Sequence, residues 1–417
     1  MTGLGVLAPN GHGVDAFEHA LREGKSGIRF VPKMKELNFG CQVAGIPENV
    51  QETAARYFPP SLVSNMNEHT TMAAIAAVDC WTDAGFEIPD PKDGPVDGDT
   101  GLTLGTGMGS PEMADLFLPL VASGNIRRLG SSMAERTMCS SAAARVSGLL
   151  GIGGEVTMNS NACATGTQSL LDGWQKIRSS YLQRVLVGAA EGSSCYNWAP
   201  FDAIRVLARN YNHAPERASR PMSASANGFV PASGAGMMLL ESLDSALARN
   251  AKIYAEVLGG FQNCGAQRNG GSMTLANASR AQLCIQRSLC VAGVKGSEVD
   301  LVNGHLTSTA GDVLEVKNLL AALDLPAERF PFINSTLSLT GHSLGAAGTL
   351  SSIAAVVQLH KGFVHGSVNC DDLHPELSEI AASIPHSTLE RDIRVLMKTS
   401  FGFGDVNASV LFRKWTC

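Results

Sequence analysis

Aromatic residues are scarce, at 6% of the chain, and charged residues reach only 17%. Beside 44% hydrophobic residues, so little charge excludes a disordered, solvated chain. No apolar run approaches the roughly 18 residues of a membrane span. The longest candidate, 346–359, is broken by Gly348, Thr349 and two serines. The opening MTGLGVLAPNG has neither the basic nor the apolar region of a secretory signal. Basic residues are outnumbered 38 to 32, and a net charge of −6 argues against nucleic acid as a partner. The ten cysteines form no CxxC pair and no metal-ligand spacing. Reduced thiols in a cytoplasmic protein are therefore expected, with no metal, membrane or nucleic-acid partner.

What is abundant is glycine: 44 residues in 417, without a collagen-like period. They mark tight turns and close backbone approach. The length suits two or three domains or one large duplicated fold. Short apolar runs alternate with helical patterns, which predicts an α/β architecture with buried strands. Strands are expected at 101–106, 156–160, 184–190, 235–241, 254–260, 299–303, 393–400 and 408–413. Helices are expected at 14–23, 70–84, 165–178, 279–292, 311–322 and 345–361. The irregular stretch 193–233 reads as a long, functional excursion between strands. A weak internal symmetry relates VTMNS, the turn at Cys163 and a helix to VDLVNG, the turn at His305 and a helix. Two reactive side chains at equivalent turns suggest two halves meeting at one site.

Cys163 lies in NACATG, directly before a predicted helix. Free N–H groups and the helix dipole at that position should lower its pKa and favour the thiolate, the attacking form. The same N–H groups can hold an oxyanion. His305, in NGHLTSTAGD, and His342, in TGHSLGAAG, each follow a strand-like run and precede a helix. Two neutral imidazoles beside a thioester can donate to its carbonyl oxygen and stabilise an enolate.

NACATG, the His305 motif, TGHSLGAAG and the closing FGFGDVN occur in an order and spacing that resembles the elongating β-ketoacyl-acyl carrier protein synthases. GTGMG at 105–109, SRP at 219–221 and GFV at 228–230 add to the likeness, which covers essentially the whole chain. The resemblance implies a thiolase-like fold: two duplicated halves, 1–250 with Cys163 and 251–417 with His305 and His342, in a five-layer αβαβα arrangement. It makes Cys163 the nucleophile that takes an acyl chain from acyl carrier protein. His305 and His342 would bind malonyl thioester and assist decarboxylation, giving a chain two carbons longer. The N–H groups of Cys163 and Phe403 would form the oxyanion hole, and Phe403 matches an aromatic gate. Thr307 and Thr309 match positions touching the phosphopantetheine arm; apart from the resemblance, they suit a turn and an N-cap. No cofactor is expected beyond the phosphopantetheine that arrives on the carrier protein. A homodimer is usual in the family, and a heterodimer with a related subunit is the alternative.

Departures from the family pattern cluster at this site. Leu337 replaces a lysine that pairs with the glutamate matching Glu315, so Glu315 should need another cation, water or more exposure. Leu306 and Asp405 replace glycines, and Asp405 should bring a carboxylate near the oxyanion hole. MSASANG at 222–228 replaces a charged segment and Ser233 an acid. Met1 stands where the family's first strand runs, so that strand should be clipped or the chain should start late. An acidic carrier protein implies a locally basic docking surface, with Arg127, Arg128 and Arg209 near the family's positions. The stretch 61–67, SLVSNMN, lacks the usual basic residues. These departures leave two other readings open: a non-condensing acyltransferase or thioesterase, and a chain-length-determining partner subunit.

Overall fold

The computed structural model describes residues 1–416. Its first sheet consists of β1 (Gly3–Ala8), β2 (Gly11–His12), β3 (Thr100–Gly105), β4 (Val156–Asn159), β5 (Arg184–Glu191) and β6 (Gly234–Glu241), ordered β2-β1-β6-β5-β3-β4. The second holds β7 (Ala255–Cys264), β8 (Leu301–Asn303), β9 (Phe332–Asn334), β10 (Val395–Gly402) and β11 (Val406–Lys414), ordered β9-β8-β10-β11-β7. Setting aside the short β2, the two orders are the same. In each, the first strand lies antiparallel to the fifth, the fifth antiparallel to the fourth, and the second parallel to both the fourth and the third. The fold is thus a duplication.

Helices α1 (Glu68–Asp83) and α2 (Ser141–Leu150) cover the outer face of the first sheet. Helices α4 (Ala278–Ala292) and α5 (Gly311–Leu323) cover the outer face of the second. Between the sheets lie α3 (Thr165–Arg178) and α6 (Ala347–Lys361), completing a five-layer, thiolase-like stack. Every residue of α6 from Ala347 to Leu359 is buried, which explains its apolar character on all sides. Of its two serines, Ser352 Oγ donates to Gly348 O at 2.7 Å, whereas Ser351 Oγ is buried without a partner among the described residues. The two middle helices cross at glycines: a Cβ on Gly166 would stand 2.6 Å from Thr349 N, and one on Gly348 2.6 Å from Thr167 N.

Strand order corrects the internal symmetry expected from sequence. Cys163 follows the third strand of its half, whereas His305 follows the second strand of the other. The true counterpart of the Cys163 turn is the turn after β9, which carries His342 into α6. The counterpart of His305 is the GTGMG turn after β3. The first strand, Gly3–Ala8, is buried throughout and pairs with β6 from Gly3 to Leu7. The excursion 193–233 contains a helix, Cys195–Ala203, and then packs against both halves. No helix among the described residues is long and apolar enough to cross a membrane.

Candidate active site

Between Asn161 and Cys163 the chain turns sharply, with Ala162 in the left-handed region at φ 47°. For an alanine this costs about 1–2 kcal/mol, and Thr165 holds it in place: its Oγ1 accepts from Asn161 N at 2.7 Å and donates to Ala162 O at 2.6 Å. The turn sets Cys163 at the foot of α3. His305 leaves β8 into a turn knitted by two acids. Glu315 accepts from the N–H of His305 (2.7 Å) and Leu306 (2.8 Å); Asp312 accepts from those of Thr307 (2.8 Å) and Ser308 (3.1 Å). His342 is fixed from the other half: its N–H donates to Val230 O at 2.7 Å and its carbonyl accepts from Ala232 N at 3.0 Å.

These three elements converge. The Cys163 sulfur and one ring nitrogen of each histidine all lie within 4.8 Å of one another, close enough to share a soft cation as any thiol beside two imidazoles is. The imidazoles meet edge to face, with centroids 5.2 Å apart. Leu344 N–H donates to His342 Nδ1 at 3.0 Å, so the proton of the neutral ring sits on Nε2 and can be donated. The N–H groups of Phe403 and of Cys163 itself both point at the sulfur. Phe201, Phe229 and Phe403 supply an aromatic wall, and Phe229 packs 5.0 Å from the His342 ring. A cavity of about 610 Å³ opens above, lined by Cys163, His305, His342, Phe403, Thr307 and Thr309 among others. The two threonine hydroxyls lie 3.0 Å apart, and Thr309 Oγ1 also accepts from Gly311 N at 3.2 Å at the start of α5.

Burial decides the protonation states. It pushes the Cys163 thiol up to about 12, with the charge of Glu191 adding and the Phe403 and Cys163 N–H groups opposing. Desolvation thus outweighs the N–H groups at the foot of α3, a shift opposite in direction to the expected depression. Burial holds His342 down at about 3 and His305 well below its usual value. Both imidazoles are neutral at physiological pH, each keeping one N–H to donate.

Two charged residues were not foreseen. Glu191, at the end of β5, accepts from the N–H groups of Gly107 (2.7 Å), Met108 (3.0 Å) and Gly345 (3.1 Å) and from Thr106 Oγ1 (3.0 Å). It ties the turn after β3 to the start of α6, and burial raises it to about 7. Lys398, on β10, is fully buried. It brings a cation to the neighbourhood of Glu315, which stays buried, so the Leu337 departure leaves neither exposure nor an uncompensated acid. Each is a lone charge within or ending an apolar strand, VLMKTS or VLVGAAE, and that interruption was the available signal.

The Asp405 expectation is corrected. At φ 65° its side chain turns away from the sulfur and accepts from the N–H groups of Gln267 (3.1 Å) and Asn277 (2.8 Å). It closes a loop whose Ser272, Thr274 and Leu275 wall the cavity. Leu306, at φ 29°, is buried in the outer core of the second half. Arg127 and Arg128 are exposed and make no ion pair among the described residues. Arg209 is different: it pairs with the Asp202 carboxylate at 3.3 Å.

Residues 1–246 match the family model for the β-ketoacyl synthase N-terminal domain, and 254–371 that for its C-terminal domain. The chain belongs to the β-ketoacyl synthase family. It is 32% identical to 3-oxoacyl-[acyl-carrier-protein] synthase 1 of Escherichia coli, over 99% of this chain and 98% of the relative. Among solved structures, it superposes on the ishigamide ketosynthase/chain length factor with a TM-score of 0.88 at 27% identity, covering 100% of this chain and 98% of that one. A ketosynthase in complex with its type II PKS acyl-carrier protein, bound to the hexaketide, gives 0.87 at 27% identity, over 99% and 98%. This β-ketoacyl synthase is a condensing acyltransferase of fatty-acid or polyketide synthesis.

Proposed function

We propose that Cys163, His305 and His342 carry out a decarboxylative condensation on thioesters delivered by an acyl carrier protein. The carrying observation is a thiol and two neutral imidazoles within 4.8 Å, facing two backbone N–H groups. The sulfur attacks the acyl thioester; the bond to the phosphopantetheine sulfur breaks, and that thiol leaves with the proton Cys163 gave up. Malonyl thioester then enters, its carbonyl oxygen accepting from the two imidazoles. The carbon–carboxylate bond breaks, CO₂ departs, and the electron pair becomes an enolate held by those donors. Its carbon attacks the acyl-cysteine carbonyl, whose oxyanion sits between the Cys163 and Phe403 N–H groups; the cysteine thiolate leaves and takes one proton from solvent. No step needs a cofactor held by this chain. Thr307 and Thr309 are the hydroxyls placed to meet the amide-rich arm, and Phe403 is the aromatic side chain beside the sulfur.

The partner follows from the same reading. Arg127 and Arg128, without an ion pair among the described residues, suit an acidic carrier protein; Arg209, paired with Asp202, suits it less. The helix Ala114–Ala122 has no buried residue although Leu116, Leu118 and Val121 are each about half exposed. With Ile126, Met138 and the free edge of β4 at Val156, it forms an apolar face that a second subunit would cover. A homodimer with both halves of each chain, 1–250 and 251–417, closing on one site is the arrangement we favour.

Incubation with acyl- and malonyl-carrier protein tests this, reading acyl-Cys163 by mass and CO₂ by release. Both signals and an extended product are expected. Acylation without CO₂ would support a non-condensing acyltransferase instead, and no acylation would support a partner subunit.

A further inference from the structure

Lys398 is fully buried, yet among the described residues its ammonium donates only to backbone carbonyls, Gly304 O at 3.3 Å and Thr399 O. Isolated ammonium groups are rarely retained at such depth without a purpose. The carboxylate nearest in influence is Glu315, whose Oε1 also accepts from Thr399 Oγ1 at 2.8 Å and from His305 N at 2.7 Å. On its own sheet Lys398 faces Asn303 of β8 and Val410 of β11, neither of which titrates. The titratable groups its charge reaches are Glu315 from α5, His305 from the turn after β8 and His342 from the turn before α6. Its positive charge disfavours the protonated form of both imidazoles.

We propose that Lys398 is a positioning residue of the site, the cation that a lysine at 337 would supply, moved to β10. There it offsets Glu315, braces the turn into His305 through Gly304 O, and adds to burial in disfavouring a charge on His305 and His342. The role in condensation rests on the functional reading above; the effect on histidine charge does not. Burial also brings Lys398 itself down to about 8, with the Glu315 charge opposing, so its own charge should be lost within an accessible range.

Imidazole nitrogen shifts of the wild-type protein, followed by NMR from pH 6 to 10, test this without activity or mutation. His305 and His342 should both show an inflection near pH 8, and flat shifts would overturn the proposal. In Lys398→Met, CO₂ release should fall about tenfold or more while acylation of Cys163 persists, and at least one of the two histidines should titrate higher. Adding Leu337→Lys to that variant should restore decarboxylation and return the histidine titration. Unchanged CO₂ release and titration in Lys398→Met would overturn the proposal. Absence of CO₂ release from wild type alongside the expected inflection would overturn the condensation reading and leave the charge relation standing.

Discussion

A cysteine that keeps its proton at neutral pH cannot rely on a standing thiolate. With its thiol near 12, Cys163 must surrender the proton as the acyl thioester arrives, and the departing phosphopantetheine sulfur is the group that takes it up. Iodoacetamide labelling of Cys163 should therefore rise about tenfold per pH unit from 7 to 9 without a plateau, because the thiolate fraction does; a plateau near 7 would show a depressed pKa. His305→Ala should retain acyl-Cys163 on mass analysis but lose extended product by about 10² or more. Leu306 sets two effects against each other. Glycine there would relieve a positive φ worth about 1 kcal/mol, but would empty a buried leucine site worth about 2–5 kcal/mol. Leu306→Gly should thus lower the melting temperature. Cys163, His305 and His342 were legible in sequence because each follows an apolar run and precedes a helix. Lys398 shows in sequence only as a lone charge in an apolar strand; its importance comes from Glu315 on α5 and from the two histidine turns, which no local pattern reports.

At the level of elements, acids do the tying. Asp405 holds the loop 265–277 by two backbone N–H groups, and Gly265 and Gly271 are the residues that leave room for its carboxylate. Asp405→Gly should keep the left-handed turn but release the loop, seen as faster hydrogen exchange at Gln267 and Asn277. Glu191 gives a pH signature. Its folded pKa, about 7, lies above the unfolded value of 4.5, so its contribution to stability is greatest below 4.5 and is lost as pH rises to 7. The melting temperature of Glu191→Gln relative to wild type should therefore increase between pH 4.5 and 7 and then level. Sequence showed where a carboxylate replaced glycine at 405, but not its direction, since that depends on a loop more than a hundred residues away.

Across the whole molecule, every strand and helix named from apolar pattern is present within a few residues of its expected bounds. What the pattern could not supply was order. Strand β1, the three-residue β9 and the pairing that makes Cys163 the counterpart of His342 are settled by contacts between distant segments, so matching turns by their reactive side chains chose the wrong pair. The exposed apolar face around Leu118 and Ile126 makes a prediction at this scale. Leu118→Asp with Ile126→Asp should convert a dimer into a monomer on sedimentation analysis while leaving the circular dichroism unchanged; a monomeric wild type would count against the interface.

The glycine crossing of α3 and α6 carries a further consequence. It lies three residues past Cys163 and six past His342, so the gap between nucleophile and proton donor is gauged by two hydrogen atoms rather than by side chains. A single methyl at Gly166 or Gly348 would act as a shim between the halves. Such a chain can vary its pocket walls freely and retune what it accepts. Its alignment, by contrast, has almost no mutational slack, and lost-function variants should gather at two positions that no substrate ever touches.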